Sequence, residues 1–119
     1  EFIQRHLKPN DVVFATWCED GHCDHEAVGR ASAKAAKAVG AVLCELPVWT
    51  WHWATAGDHK VPWHRARKIP LTAEQVARKR HAIHAFASQL EGDPQIGLPP
   101  VLAPYVVERL LQPFEMVFV

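Results

Sequence analysis

Two imidazoles, two carboxylates and a thiol fall within six consecutive residues, Asp20-Gly21-His22-Cys23-Asp24-His25. A neutral imidazole is a good ligand for a divalent metal such as Zn²⁺, and a neighbouring carboxylate fixes its tautomer. The same groups move protons, because an imidazole titrates near neutral pH and a carboxylate accepts a proton from water. The segment therefore points to metal-assisted hydrolysis or to acid–base chemistry. A competing reading is purely architectural: Asp24 caps the next helix and the histidines are solvated loop residues. A His-x-x-His spacing this short is compatible with both.

The surrounding elements decide where such a cluster would sit. Residues 11–17 contain Val12, Val13, Phe14 and Ala15, an apolar run that predicts a buried strand. Pro9 ends an opening helix over residues 1–8. After a polar loop, a long helix is expected over residues 24–39, with Asp24 as N-cap, Glu26 in its first turn and Gly40 just past its end. Val28, Ala31, Ala35, Ala38 and Val42 give its expected buried stripe. Residues 41–49 form a second apolar run. Strand, helix and strand with short connections make a βαβ unit, hence parallel strands. The cluster then lies at the carboxyl end of a strand, where open α/β sheets gather their ligands. Residues 68–71 are expected as an edge strand. Thr72 with Gln75 forms a capping box for a second long helix, whose stripe is Val76, Ile83, Phe86, Ala87 and Leu90. A short helix over residues 103–111 and a strand over residues 115–119 close the chain.

Bulk properties narrow the classes. A chain of 119 residues has room for one compact domain, and 49% hydrophobic with 22% charged residues is a globular balance. The formal net charge is zero, so no electrostatic footprint for nucleic acid or an anionic membrane exists. No apolar stretch is long enough to span a bilayer, and charged and polar residues interrupt the start where a signal peptide would be apolar. Such a chain is expected in the cytoplasm, with Cys18, Cys23 and Cys44 as reduced thiols. Cys18 and Cys23 could also join His22 or His25 in a structural zinc site, although the Cys-x4-Cys spacing fits such sites loosely.

The run Asp20-Gly21-His22-Cys23-Asp24-His25-Glu26-Ala27-Val28-Gly29-Arg30 resembles the second motif of the PIG-L/LmbE-like zinc-dependent de-N-acetylases, His-Pro-Asp-His followed by a helix. Lys79, Ala82, Ile83 and the pair Ser88-Gln89 are similar to the pattern of that family's penultimate helix, and residues 113–118 to its last strand. The resemblance implies an α/β fold with a Rossmann-like parallel sheet and flanking helices. It also implies hydrolysis of the N-acetyl group of an amino sugar, such as N-acetylglucosamine, or its conjugate. In that scheme His25 is a metal ligand, His22 stabilises and protonates at the reacting centre, and Asp24 orients it. Two departures stand out. Cys23 replaces the usual proline, and the family's first motif, His-Pro-Asp-Asp-Glu, is absent. That motif supplies two metal ligands and the general base, so this chain is expected to hold only part of a Zn²⁺ site. It would be the C-terminal part of a truncated domain, inactive until joined by an N-terminal segment or another copy of the chain.

The remaining rings offer a substrate wall. Trp49, Trp51, His52 and Trp53 follow the second strand on the same side as the motif, and with Asp20 they are candidates to bind a small N-acetylated molecule. They serve equally well as core or interface. His81 and His84 form a second His-x-x-His, but beside Lys79 and Arg80 on a helix they read as a solvated basic face. The alternative to an enzyme is a non-catalytic binding or scaffold module that keeps the fold without a complete metal site.

Overall fold

Val12, Val13 and Phe14 are β-branched or aromatic, the types that fit a pleated surface. In the computed structural model, which describes residues 1–119, they open β1 (Val12–Thr16). Helix α1 (Cys23–Val39) and strand β2 (Val42–Leu46) follow, and β1 pairs with β2 in parallel, Val12 opposite Val42 through Thr16 opposite Leu46. This is the expected βαβ unit. The chain continues through the short helix α2 (Thr50–Trp53), strand β3 (Ala66–Pro70), helices α3 (Ala73–His84), α4 (Ala87–Leu90) and α5 (Pro104–Leu110), and strand β4 (Phe114–Phe118). The result is a mixed α/β fold with a four-stranded sheet in the order β1-β2-β4-β3. Parallel pairing is established for β1 and β2, whereas β4 lies antiparallel to β2, with Phe118 opposite Glu45. No helix is long and apolar enough to cross a membrane.

The chain divides into two compact units, residues 1–68 with 116–119, and residues 69–115. The first holds a core of Trp17, Ala54, Val61 and Phe118, with Cys18, Trp53, Ala66 and Met116 packed against it. In the second, Thr72 and Gln75 form the expected capping box: the Thr72 amide donates to Gln75 Oε1 at 2.8 Å and the Gln75 amide to Thr72 Oγ1 at 3.2 Å. Lys79 Nζ pairs with Glu115 Oε1 at 2.5 Å.

Several boundaries and faces differ from expectation. The opening helix is a single 3-10 turn, Ile3–His6. The second long helix stops at His84, because Phe86 leaves the helical region with φ −92° and ψ 64°. Its stripe is shallow: Val76, Ile83 and Leu90 are half-buried, while Phe86 and Ala87 are exposed. On α1 the buried residues are Gly29, Ser32, Ala35 and Ala36, and Val28 is exposed. The reason is distance, not hydrophobicity. A Cβ on Gly29 would lie 2.5 Å from the Thr16 carbonyl oxygen and 2.8 Å from the Cys18 amide nitrogen. A helix this close to a strand presents small side chains, and its larger apolar ones turn outward. Val12 and Phe14 in β1 and Val42 in β2 are exposed.

Gly29→Ala tests that contact. Alanine is the better helix former by about 1 kcal/mol, yet the clash is with backbone atoms that cannot rotate away. We expect a net loss of about 1–3 kcal/mol, read as a lower urea midpoint at unchanged slope. A gain in stability would show that α1 has room to move off β1.

Candidate functional site

The loop after β1 and the loop after β2 both leave the carboxyl ends of parallel strands, so they emerge side by side. Asp20 ties them together. Its side chain has no exposed surface. Oδ1 accepts from the amides of Val48 at 3.0 Å and Thr50 at 2.8 Å and from the Thr50 hydroxyl, while Oδ2 accepts from the Trp49 amide at 2.7 Å. Oδ2 also meets His25 Nδ1 at 2.5 Å. Burial works to raise the Asp20 pKa, but the hydrogen bonds from Thr50, His25 and the Trp49 and Thr50 amides outweigh it and leave it below the ordinary carboxylate value. Asp20 is therefore an anion whose oxygens are occupied by protein donors.

That anion sets the state of His25. With Nδ1 donating to Asp20, the Nε2 lone pair is left available, which is the arrangement of an imidazole ready to bind a Lewis acid. His25 sits one turn into α1, and Thr16 Oγ1 donates to its carbonyl at 2.8 Å, fixing the helix start to the end of β1. His22, not Asp24, is the N-cap of α1: its Nδ1 accepts from the Asp24 amide at 3.3 Å. A histidine accepting at Nδ1 carries its proton on Nε2 when neutral. So the backbone of Asp24 fixes the His22 tautomer, whereas its carboxylate is exposed and takes a hydrogen bond from the Cys23 thiol at 3.6 Å.

The rings form a column. His22 stacks on His25 with centroids 4.5 Å apart, meets Trp49 edge-on at 5.5 Å, and Trp49 stacks on His52 at 4.0 Å. Burial pushes the His52 pKa down, against the opposing charge of Asp20. Of the predicted wall, Trp49 and His52 thus stand beside the histidines. Trp53 turns the other way: its Nε1 donates to the Asp20 carbonyl at 2.9 Å and its ring stacks on the core residue Trp17. Trp51 is half-buried on the same turn. A cleft of about 450 Å³ beside this turn is lined by Trp17, Glu19, Gly21, Trp53 and Lys60. His81 and His84 are exposed, and His84 Nδ1 bonds the Arg80 carbonyl on its own helix.

Three donors, His22, Cys23 and Asp24, lie together, with one ligand atom from each within 4.8 Å of the others. Cys18 is not of that group. Its amide donates to Glu45 Oε1 at 3.1 Å, and burial, with the Glu45 carboxylate beside it, pushes its thiol up to about 11. Such a thiol is a poor source of thiolate, so the structure brings no support to a Cys18–Cys23 site. Two residues that position the site gave no sequence signal. Thr50 is a buried hydroxyl in a run of aromatics, and Glu45 is a carboxylate inside an apolar strand, paired with Arg65 at 2.8 Å.

No protein-family model, no curated protein and no solved structure matched the chain.

Asp20→Asn should cost about 3 kcal/mol at neutral pH, since it loses charged hydrogen bonds and points an amide donor at other donors. The folded pKa of Asp20 is lowered from 3.8, so its contribution is complete above that value and is lost as the pH falls through the lower folded pKa. Unfolding of wild type and variant across pH 7 to 2 should therefore converge at the acid end. A constant gap would mean that Asp20 is neutral in the folded protein.

Proposed function

We propose that this chain carries the histidine half of a metal-dependent amide-hydrolase centre, and that its reaction is removal of the N-acetyl group from an amino sugar or its conjugate. The observation that carries the reading is the His25–Asp20 pair: a fully buried carboxylate holds Nδ1 at 2.5 Å and leaves Nε2 open beside a second imidazole. An isolated loop histidine has no need of a buried anion behind it. The resemblance of residues 20–30 to the de-N-acetylase motif points the same way, and a Rossmann-like arrangement of the complete sheet belongs to the same proposal.

The donor chemistry fits zinc as far as it goes, since His25 is one of the roughly three protein ligands a hydrolytic zinc takes. The others, with the general base, would come from a further segment or from a second copy of the chain. Bound there, Zn²⁺ would polarise the amide carbonyl and acidify a water molecule. The chain's own residues do the rest. Asp20 holds His25 in one tautomer. The Asp24 amide holds neutral His22 with its proton on Nε2, from which it would hydrogen-bond the developing oxyanion; to protonate the leaving amine, His22 first takes a proton on Nδ1 and releases that amide. Trp49 and His52 offer a flat wall to a sugar ring.

The experiment is acetate release from N-acetylated amino sugars by the protein at its natural full length, with zinc content measured in parallel. His22→Ala should lower kcat about 10²–10⁴-fold with zinc retained, the range for losing a positioned general acid. His25→Ala should lose the metal at the catalytic centre and the activity with it. Asp24→Asn should keep zinc and lose less rate than His22→Ala. If wild type and all three variants behave alike, the enzyme reading fails and the module that binds without catalysis replaces it.

A further inference from the structure

We propose a second metal site, separate from His25, in which His22, Cys23 and Asp24 together bind a soft divalent cation such as Zn²⁺ or Cd²⁺. The donor set is an imidazole nitrogen, a thiolate and a carboxylate, three different ligand types from consecutive residues. Thiolate and imidazole select soft and borderline metals over Mg²⁺ and Ca²⁺. Deprotonated Cys23 and Asp24 carry two negative charges, which neutralise the ion, and a bound cation drives the thiol to thiolate. Tetrahedral ligation places donor atoms about 3.3–3.7 Å apart, from bonds of about 2.0–2.3 Å. The present limit of 4.8 Å must therefore close by about 1 Å. Cys23 and Asp24 are exposed, so side-chain rotation can supply that movement; the ion takes His22 Nδ1 in place of the Asp24 amide, and the thiol already reaches Asp24 Oδ1 at 3.6 Å.

The other thiols do not compete. Cys44 is buried in β2, and Cys18 is half-buried with its thiol pushed up to about 11. His25 is not one of these three donors: its Nδ1 is held by Asp20, and its Nε2 is assigned to the catalytic centre proposed above. The site therefore uses the mouth of the α1 turn, and leaves the buried anchor intact. Its consequence for catalysis rests on the function proposed above: an ion on His22 and Asp24 removes them from proton transfer, so excess zinc would inhibit. The binding itself does not depend on that reading.

Titration of the reduced chain with Co²⁺ alone tests it. We expect a thiolate-to-cobalt charge-transfer absorption that saturates at one equivalent, is abolished by Cys23→Ser, and needs at least tenfold more metal in His22→Ala and in Asp24→Asn. The band should survive in Cys18→Ser and in His25→Ala. Survival in His25→Ala separates this site from the proposed catalytic one, whatever the deacetylation assay gives. The proposal is overturned if wild type shows no such band, or if the band persists in Cys23→Ser. Loss in Cys18→Ser would make it a two-cysteine site, and loss in His25→Ala would make Cys23 an accessory ligand of a single centre. Either result also ends the proposal.

Discussion

Five donors converge on the carboxylate of Asp20: the amides of Val48, Trp49 and Thr50, the Thr50 hydroxyl and His25 Nδ1. Helix α2 has no side-chain cap from its own N-cap residue Trp49. Asp20, reaching across from the loop after β1, does that work instead. Buried amides without an acceptor cost about 1–3 kcal/mol each, so the turn at residues 48–50 has no reason to take its shape unless the anion is there. The dependence runs both ways. A bare buried carboxylate would be protonated or driven out, and the donors that α2 presents keep it ionised. One charge therefore joins two strand ends, starts a helix and fixes the tautomer of the imidazole that faces the site.

A second buried carboxylate backs up the first. Glu45 in β2 pairs with Arg65 and accepts from the Cys18 amide, while the Arg65 carbonyl accepts from the Val119 amide at 3.1 Å. The loop after β1 is thus held at Cys18 by Glu45 and at Asp20 by the β2–α2 turn. Between these anchors the chain has little freedom. The tight approach of α1 at Gly29 becomes possible because the strand end it packs on is fixed. The cost falls on chemistry: burial, with Glu45 beside it, raises the pKa of the Cys18 thiol, which leaves the more accessible end of the loop to half-buried His22 and exposed Cys23 and Asp24.

The sequence shows the βαβ unit, the capping box at Thr72 and the cluster at residues 20–25 because each rests on local pattern: apolar runs, a cap at fixed spacing, ligand types in a row. What it hides is set by distance. Hydrophobic periodicity places Val28 in the core, but the nearness of the Thr16 carbonyl demands Gly29 there, and Ser32, Ala35 and Ala36 are the other buried residues of the helix. Asp24 fits the cap by residue type, but His22 takes the position, with its ring packed against His25 and Trp49. Nothing in the spacing ties Asp20 to residues 48–50, 28 to 30 positions away. The break at Phe86 has no proline or glycine to announce it. The site's residues were legible as types, and their partnerships were not.

The ring column explains why two histidines in one loop need not share one role. His25 is fixed from behind by an anion and offers a lone pair outward. His22 has its Nδ1 taken by a backbone amide and offers an N–H hydrogen bond outward. Stacking at 4.5 Å keeps both planes nearly aligned, with 29° between them, so neither can swing to take the other's place. His52, stacked against the far side of Trp49, is pushed toward its neutral form by burial even though Asp20 pulls the other way. In the proposed reaction it would serve as a wall, with proton transfer left to His22. The division of labour thus follows from what lies behind each ring: a carboxylate, an amide or an indole.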